Sequence, residues 1–459
     1  MAFPALLRDC RGAGARKMAH DALDKLLDDL EAEGEHAPTL RALSERLMIS
    51  RQHLLATCLE TALKQRYAAE LTQKAWTCAC GRTLRSWRSD PKELSTLHGR
   101  IILYRPYFYC RSCGTGCHPL DEQLQLAAAT HQFDIQERST RLGAEIPFGL
   151  SEEQFQRLTG VQASAHFIHG TLNAVGEAAR LERVVPPADE IGRRIEDARA
   201  GSHRRPVLVV ACDGAHAPTR PAGGRKKKRG PGAWREAKGV RLYLLGRDHR
   251  IIHVASWHEI GDKEHVSTAL GIIASRIPRD QVRLALVADG AEWTWDVMRR
   301  HFPDGEEILD YYHCAEHVHA TAHAQFGEGT LEAHEWTEAV LTRLALNELG
   351  RTLGGLKRMR PRSPAAAEEI RTLAVYLAGQ SERFGYDELR RRGLPRGSGG
   401  IESANKLICH VRLKRSGAWW LEGNGNAMLR IRCAIYNGTF PQVFADYTAA
   451  KTVTPPDNK

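Results

Sequence analysis

The sequence contains no apolar run near the roughly 18 residues of a membrane span. Its start, MAFPALLRDCRGAGARK, lacks the long apolar core of a secretion signal. These absences set the expectation of a cytoplasmic protein with no membrane partner. Internal repeats and extended low-complexity tracts are missing too. Eleven cysteines make an odd set in 459 residues. Without a secretion signal they speak against a disulfide framework and for metal ligands plus buried free thiols. Acidic charge is also short, with 55 Asp and Glu against 65 Lys and Arg, a net charge of +10. Such a balance favours a polyanionic partner, nucleic acid first, although over this length the clustering of charge matters more than the total. What is present, 42% hydrophobic and 26% charged residues, is ordinary for a globular protein. The length argues for about two to four domains.

Residues 1 to about 75 have helical patterning. In TLRALSERLMISRQHLLATCLE, Leu40, Leu43 and Leu47 share a face, Met48 and Ile49 suit a short turn, and Ser50 suits the N-cap of a second helix. A helix-turn-helix and a plain helical bundle both fit. Residues 76–122 change character, running TCACGRTL, a hairpin through LHGRIILYRPYFY, then CRSCGTGCHPLD, the layout of a zinc ribbon. Residues 123–185 return to helices, with a better helix-turn-helix candidate at 135–178. There Ser151 and Gln154 read as a capping box, Phe155 and Leu158 as an apolar stripe, Thr159 and Gly160 as the turn, and Ser164 as the cap of a helix carrying His166 and His169. A helical hairpin packed on the next domain also fits.

Beyond the Pro-Pro pair of RVVPPADE, residues 200–313 predict strands at 206–213, 240–245, 250–257, 282–289 and 307–312, with helices at 264–277 and 292–302. Three consecutive strands followed by alternating helices and strands describe a mixed sheet of RNase H-like type. Residues 314–395 read as helical throughout. Leu341, Leu344, Leu349, Leu353 and Leu356 recur at helical spacing, and Ser363 with Pro364 opens a further helix. Residues 396–440 rejoin the core, and the 441–459 tail ends in KTVTPPDNK, a disordered composition. The expected fold is multidomain α+β. An RNase H-like mixed-sheet catalytic core carries an all-helical insertion and follows helical, helix-turn-helix-like and zinc-ribbon modules.

Three carboxylates stand where such a core would hold them: Asp213 in VLVVACDGA, Asp289 in RLALVADGAEW and Glu402 in GSGGIESANKL. Each Asp closes an apolar, β-branched run that reads as a buried strand, and Glu402 opens a helix. Two divalent ions about 4 Å apart need shared oxygen ligands, one ion activating an attacking oxygen and the other stabilising a leaving one. The trio therefore reads as a site for two Mg²⁺ or Mn²⁺ ions and phosphodiester chemistry. Singly, an Asp-Gly after a strand is also a turn, and a Glu in a first helical turn also complements the dipole. Their joint occurrence in this order carries the functional reading.

Cys78, Cys80, Cys110 and Cys113 form two close pairs separated by a hairpin, a set suited to tetrahedral structural Zn²⁺. Gly81 and Gly114 after a ligand permit tight turns, and Cys117 or His118 could replace one ligand. The loop GGRKKKRGPGAWRE carries Arg225, Lys226, Lys227, Lys228 and Arg229, which suit a DNA backbone, although such runs are also ordinary solvated loops. After Glu402, Lys406, Arg412, Lys414 and Arg415 could hold a cleaved strand, while Trp419 and Trp420 either stack on an unpaired base or belong to the core. His313 and His317 have metal-ligand spacing on a helix but no evident third ligand.

At these residues the chain resembles the DDE transposases of bacterial insertion sequences, most closely the Kra-type family and more distantly the Mutator-like group. The shared motifs are the CxC and CxxCG pair with PLDEQLQL, the DGA around Asp213 followed by WREAKG, VADGAEWTW with HFPDGEEILDYYHCAEH, and GSGGIESANKLICHVRLK. They span about residues 76–437, while CHVRLKRSGAWW fits more loosely. The resemblance implies that Asp213, Asp289 and Glu402 are the DDE triad and that Asp310 with His313 is the D-x-x-H element between the second Asp and the Glu. It also implies a nucleoid-associated, homo-oligomeric DNA transposase. Such an enzyme binds terminal inverted repeats in double-stranded DNA, cuts at the element end and joins the freed 3′-OH to target DNA. The alternatives are a domesticated, non-catalytic DNA-binding protein, which usually lacks a triad residue, and a structure-selective RNase H-like nuclease.

Overall fold

The computed structural model describes residues 13–31, 39–221, 231–246 and 250–452. The chain divides into two compact units, Met1–Ala174 with Phe444–Lys459, and Val175–Val443. Among the described residues no helix is long and apolar enough to cross a membrane.

The first unit begins with helices Ala13–Glu31 and Leu40–Arg66. Thr39 caps the second, its hydroxyl accepting from the Ala42 amide at 3.3 Å. The turn expected at Met48 and Ile49 does not form, and Ser50 caps nothing: the helix runs 27 residues without a break. No Gly or Pro interrupts it, and its Ala56, Leu59 and Leu63 pack with Leu94, Ile101 and Leu103 of the adjoining sheet. That tertiary contact sustains a helix whose local sequence suggested a stop. The sheet is antiparallel, in the order β1 (Ala75–Thr77), β2 (Thr83–Thr96), β3 (Gly99–Cys110), β4 (Thr115–Cys117). A buried ion pair ties the following PLDEQ turn to it, with Arg105 Nε 2.5 Å from Asp121.

Helices Phe133–Glu145, Phe148–Thr159 and Ala165–Ala178 follow. The second starts one turn earlier than its supposed capping box, directly after Pro147. Ser151 is therefore inside the helix, its hydroxyl donating back to Ile146 O and Pro147 O. The turn itself is as expected. Gly160 terminates the helix in the left-handed region at φ 77°, and Ser164 Oγ accepts from the Phe167 amide at 3.2 Å.

The second unit is built on a five-stranded mixed sheet of order β7-β6-β5-β8-β9. Its strands are β5 (Val207–Thr219), β6 (Ala233–Leu245), β7 (Ile251–Ile260), β8 (Arg283–Ala288) and β9 (Glu306–Leu309). The first three form antiparallel pairs, whereas β8 runs parallel to β5 and β9 parallel to β8. Central strand residues from Val207 to Cys212 and from Ala285 to Ala288 are fully buried, as their apolar runs require. Helices Lys263–Ser275 and Glu292–His301 connect β7 to β8 and β8 to β9. Several strand ends differ from expectation: β6 starts at Ala233 rather than 240 and β7 runs on to Ile260. β5 does not stop at Asp213 but continues to Thr219, because it pairs with β6 along its whole length. β9 stops at Leu309, because Asp310 caps the helix Tyr311–Phe326. Helices Leu331–Ala345, Leu349–Arg358, Pro364–Gly379 and Tyr386–Arg391 complete the block before Glu402. Ser363 and Pro364 open the third as expected, the Ser363 hydroxyl accepting from the Ala366 amide. The chain then forms helix Gly399–Ala404, a π-helical stretch Asn405–His410, and the long buried helix Glu422–Asn437.

Candidate active site and four-cysteine centre

Asp213 lies in the interior of β5 and faces Gly239 of β6 in register. Both of its carboxylate oxygens are held: Oδ1 accepts from the Gly214 amide and Oδ2 from Asn405 Nδ2, each at 2.7 Å. Asn405 is 3% exposed and sits in the π-helical stretch, a local widening of the helix that recurs at functional sites. Its Oδ1 lies 2.8 Å from Nε2 of the fully buried His258 on β7. Since Asn405 gives its N–H to a carboxylate, its oxygen must face His258, so Nε2 carries the imidazole proton. Burial pushes His258 down to about 4, which keeps the ring neutral. Gly239 makes room for this arrangement, because a Cβ there would come within 2.5 Å of the His258 ring.

Asp289 follows β8 in a turn braced by the helical block. Tyr376 Oη donates to Asp289 O at 2.8 Å and Gln380 Nε2 to Gly290 O at 3.0 Å. Gly290 has φ 108° and its Cα faces Tyr376 and Gln380, so a side chain there would be both strained and crowded. Burial raises Tyr376 well above the ordinary tyrosine range, so its hydroxyl stays a donor.

Glu402 is exposed on the first turn of helix Gly399–Ala404. Asp310, 1% exposed, fixes the approach to that helix. Its Oδ1 accepts from the Tyr312 and His313 amides at 2.6 and 3.0 Å, and its Oδ2 from the Ser398 amide at 2.6 Å. Its own amide donates to Ala288 O at 2.8 Å. Through its amide and its buried carboxylate, Asp310 thus ties the end of β8, the start of the helical block and the loop before Glu402 together. Buried Arg241 adds a hydrogen bond to Gly400 O.

Burial pushes Asp213 up to about 6 against an ordinary value of 3.8; the Gly214 amide opposes this, and the charges of Asp289, Glu402 and Glu236 reinforce it. Asp213 therefore feels the charge of both other carboxylates named from sequence. The ligand atoms of the three do not all fall within 4.8 Å, since among the described residues only the four cysteines form such a group. Sequence reasoning missed Asn405, His258, Glu236 and Lys238. Asn405 and Glu236 lie inside the quoted motifs ESANKL and WREAKG, but nothing in a string of residues marks them as neighbours of Asp213. A Cβ on Gly214 would overlap the Glu236 carboxylate. Lys238 pairs with that carboxylate and lies 4.2 Å from the Trp293 ring centroid.

Of the basic residues after Glu402, Lys406, Lys414 and Arg415 are exposed. Arg412 is not: it is 3% exposed, with its guanidinium 5.6 Å from the ring centroid of buried Trp420, so burial removes it from the exposed basic set. Trp420 belongs to the core, while Trp419 is 42% exposed. Arg225, Lys226, Lys227, Lys228 and Arg229 lie outside the described residues. His313 and His317 have ring centroids 5.0 Å apart, and His317 packs on Tyr376 at 4.4 Å. No third metal-binding side chain joins them among the described residues.

The four sulfurs of Cys78, Cys80, Cys110 and Cys113 lie within 4.8 Å of one another. Cys78 Sγ is 3.8 Å from Cys113 Sγ, and Cys80 Sγ is 3.7 Å from Cys110 Sγ. A tetrahedral metal with bonds of about 2.3 Å to sulfur has S···S edges of about 3.8 Å, whereas a disulfide needs about 2.05 Å. The set fits a tetrahedral ion such as zinc. Gly81 and Gly114 take φ 82° and 66°, giving the tight turns after Cys80 and Cys113. The Cys113 amide helps to lower Cys110 to about 6, towards the thiolate that a metal binds, while hydrogen bonds with Cys80 and Cys110 raise Cys113. Cys117 is outside the group, and His118 pairs instead with Asp90 at 3.2 Å.

No protein-family model matches the sequence, and no curated protein matches it. Among solved structures the chain is similar to the Drosophila P element transposase strand transfer complex, at 10% identity and a TM-score of 0.26, covering 69% of this chain and 80% of that one.

Proposed function

We propose that this chain is an insertion-sequence DNA transposase of the DDE type, with Asp213, Asp289 and Glu402 as the catalytic, metal-holding residues. The observation that supports the reading is that the charges of two further carboxylates, Asp289 just past the end of β8 and Glu402 on a helix reached only after the helical block, bear on the buried Asp213 of the central strand. Repulsion of that kind is what a hard divalent cation relieves, and carboxylates are its preferred ligands. When bound, a pair of Mg²⁺ or Mn²⁺ ions supplies activation of the attacking oxygen and stabilisation of the leaving one. The chain's own contribution is orientation. Gly214 and Asn405 aim Asp213, Tyr376 and Gln380 hold the turn of Asp289, and Asp310 sets the loop before Glu402. The strand order, with β5 central, an antiparallel hairpin extension on one side and parallel strands on the other, supports an RNase H-like core. The cysteine set with its short sheet supports a zinc ribbon, and helices Phe148–Thr159 and Ala165–Ala178 with their Gly160 turn support a DNA-reading element. Recognition of terminal repeats falls to these parts, Lys406, Lys414 and Arg415 flank the cut strand, and two element ends call for a homo-oligomer.

The test is cleavage and joining with the element's own ends in Mg²⁺ or Mn²⁺. Asp213→Asn and Glu402→Gln should lose cleavage and keep end binding; cleavage by either purified variant contradicts the triad. Joining of a 3′ end to target DNA favours the transposase, and nicking without joining favours a structure-selective nuclease.

A further inference from the structure

At the opposite end of the five-stranded sheet from the carboxylates, the second unit has a cleft of about 690 Å³ formed where β5 begins, β6 ends and β8 begins. Six arginines line it, Arg199, Arg204, Arg205, Arg283, Arg390 and Arg391, and no carboxylate does. They come from three separate stretches of chain, 199–205, 283 and 390–391, so only the fold brings the short runs at 204–205 and 390–392 together with Arg283.

Neutralisation is sparse. Arg391 pairs with Glu388 at 2.9 Å and Arg199 with Glu196 at 3.7 Å, both within their own helices and exposed. Arg204, Arg205, Arg283 and Arg390 have no carboxylate partner among the described residues. Three of these are braced on backbone carbonyls instead. Arg204 Nη2 and Arg283 Nη1 both donate to Arg392 O, at 2.8 and 2.9 Å, and Arg205 Nη1 donates to Asp280 O at 3.1 Å. A guanidinium has five N–H donors, so each keeps several free for a ligand while its position is fixed. Arg283 is held below the ordinary arginine value, first by burial and then by the charges of Arg204, Arg392 and Arg205, with Glu306, the partner of Arg392, opposing them only in part.

We propose that this cleft is a second DNA-binding site, taking the phosphate backbone of duplex DNA away from the catalytic carboxylates. β8 is six residues long, so Arg283 at its start and Asp289 past its end are about 20 Å apart along the strand. The cleft is therefore distinct from the active site. No Trp, Tyr or Phe lines it, so it offers no platform for a base. Forked guanidinium donors suit phosphate oxygens, and contacts to them carry affinity without sequence preference. The inference relies on the proposed function only for naming DNA as the polyanion.

The experiment uses the full chain and an unrelated duplex of about 30 base pairs, with affinity followed by fluorescence anisotropy across a salt series. The exposed set Arg199→Gln, Arg390→Gln, Arg391→Gln should make the slope of log affinity against log salt shallower by about 2–3, at about 0.9 per lost phosphate contact. The same three positions changed to Lys should restore the slope. Should the triple variant melt early, Arg390→Gln alone should lose about one unit of slope. A wild-type slope in well-folded Gln variants overturns the second site and leaves the catalytic reading standing. Absence of any salt-dependent duplex binding by the wild type overturns both. Competition by inorganic phosphate beyond the effect of matched ionic strength makes this a small-anion pocket and overturns the duplex assignment.

Discussion

At the four-cysteine centre the ligands lie on two turns joined by one hairpin, Cys78 and Cys80 before β2, Cys110 at the end of β3 and Cys113 just after it. At the proposed carboxylate site the candidate ligands come from a strand interior, a strand end and the first turn of a helix on the far side of the helical block. The first needs little protein around it: Cys80 is exposed, Cys78 and Cys113 half-buried. The second rests on polar groups behind the carboxylates, namely buried His258 behind Asn405, buried Asp310 beneath Ser398 and half-buried Tyr376 under Asp289. Ligands close in sequence can be held by the metal they bind, whereas ligands far apart need a hydrogen-bonded frame to meet.

The largest expected effect follows from that contrast. Cys110→Ser, or removal of metal by a chelator, should unfold β1 to β4, because structural zinc bound by thiolates contributes on the order of 10 kcal/mol to folding. The carboxylate site should still bind Mn²⁺. Metal content of about one zinc per chain and loss of protease resistance on chelation check this. A protease-resistant sheet in metal-free protein would break the comparison.

Next comes the frame itself. Asp310→Ala leaves three amides, Tyr312, His313 and Ser398, without their acceptor, at an expected cost of about 3 kcal/mol or more in urea denaturation. Asp310→Asn, which keeps one acceptor oxygen, should cost less. Equal stability of Asp310→Ala and wild type would show that the loop before Glu402 is set by something else.

A smaller effect has the opposite sign. Asp213 is raised to about 6 from 3.8, so its charged form is disfavoured in the folded state. Below its unfolded value it is protonated in both states and costs nothing. As pH rises through the folded value, the cost grows to its full extent. Asp213→Asn should therefore stabilise the metal-free protein by roughly 2–3 kcal/mol near pH 7.5 and by almost nothing near pH 3.5. Thermal melts of both proteins at the two pH values, in chelator, measure the difference; a gain that does not depend on pH would assign it to packing.

Much of the strand and helix order of the second unit was legible, because central strands buried on both faces leave continuous apolar runs and because caps such as Ser363 act locally. The grouping of the four cysteines was legible for the same reason. What could not be read depended on contacts between distant segments. The helix through Ser50 persists because Ala56, Leu59 and Leu63 find a sheet to pack on. Ser151 fails as a cap because Pro147 starts the helix earlier. Arg412 looked like a surface cation beside Lys406 but turns inward to Trp420. Asn405 and His258 are unremarkable letters until the fold sets them in line behind Asp213. The arginine cleft is assembled from segments no periodicity connects.

The central claim is that Asp213, Asp289 and Glu402 hold the same divalent ions. Calorimetric titration of Mn²⁺ into the wild type, Asp213→Asn, Asp289→Asn and Glu402→Gln tests it most directly. The account predicts that each single change weakens binding by at least about tenfold, close to 1.4 kcal/mol, with the fold intact. Wild-type affinity in Glu402→Gln would contradict it, leaving a pair of aspartates without the third member that the helical block delivers.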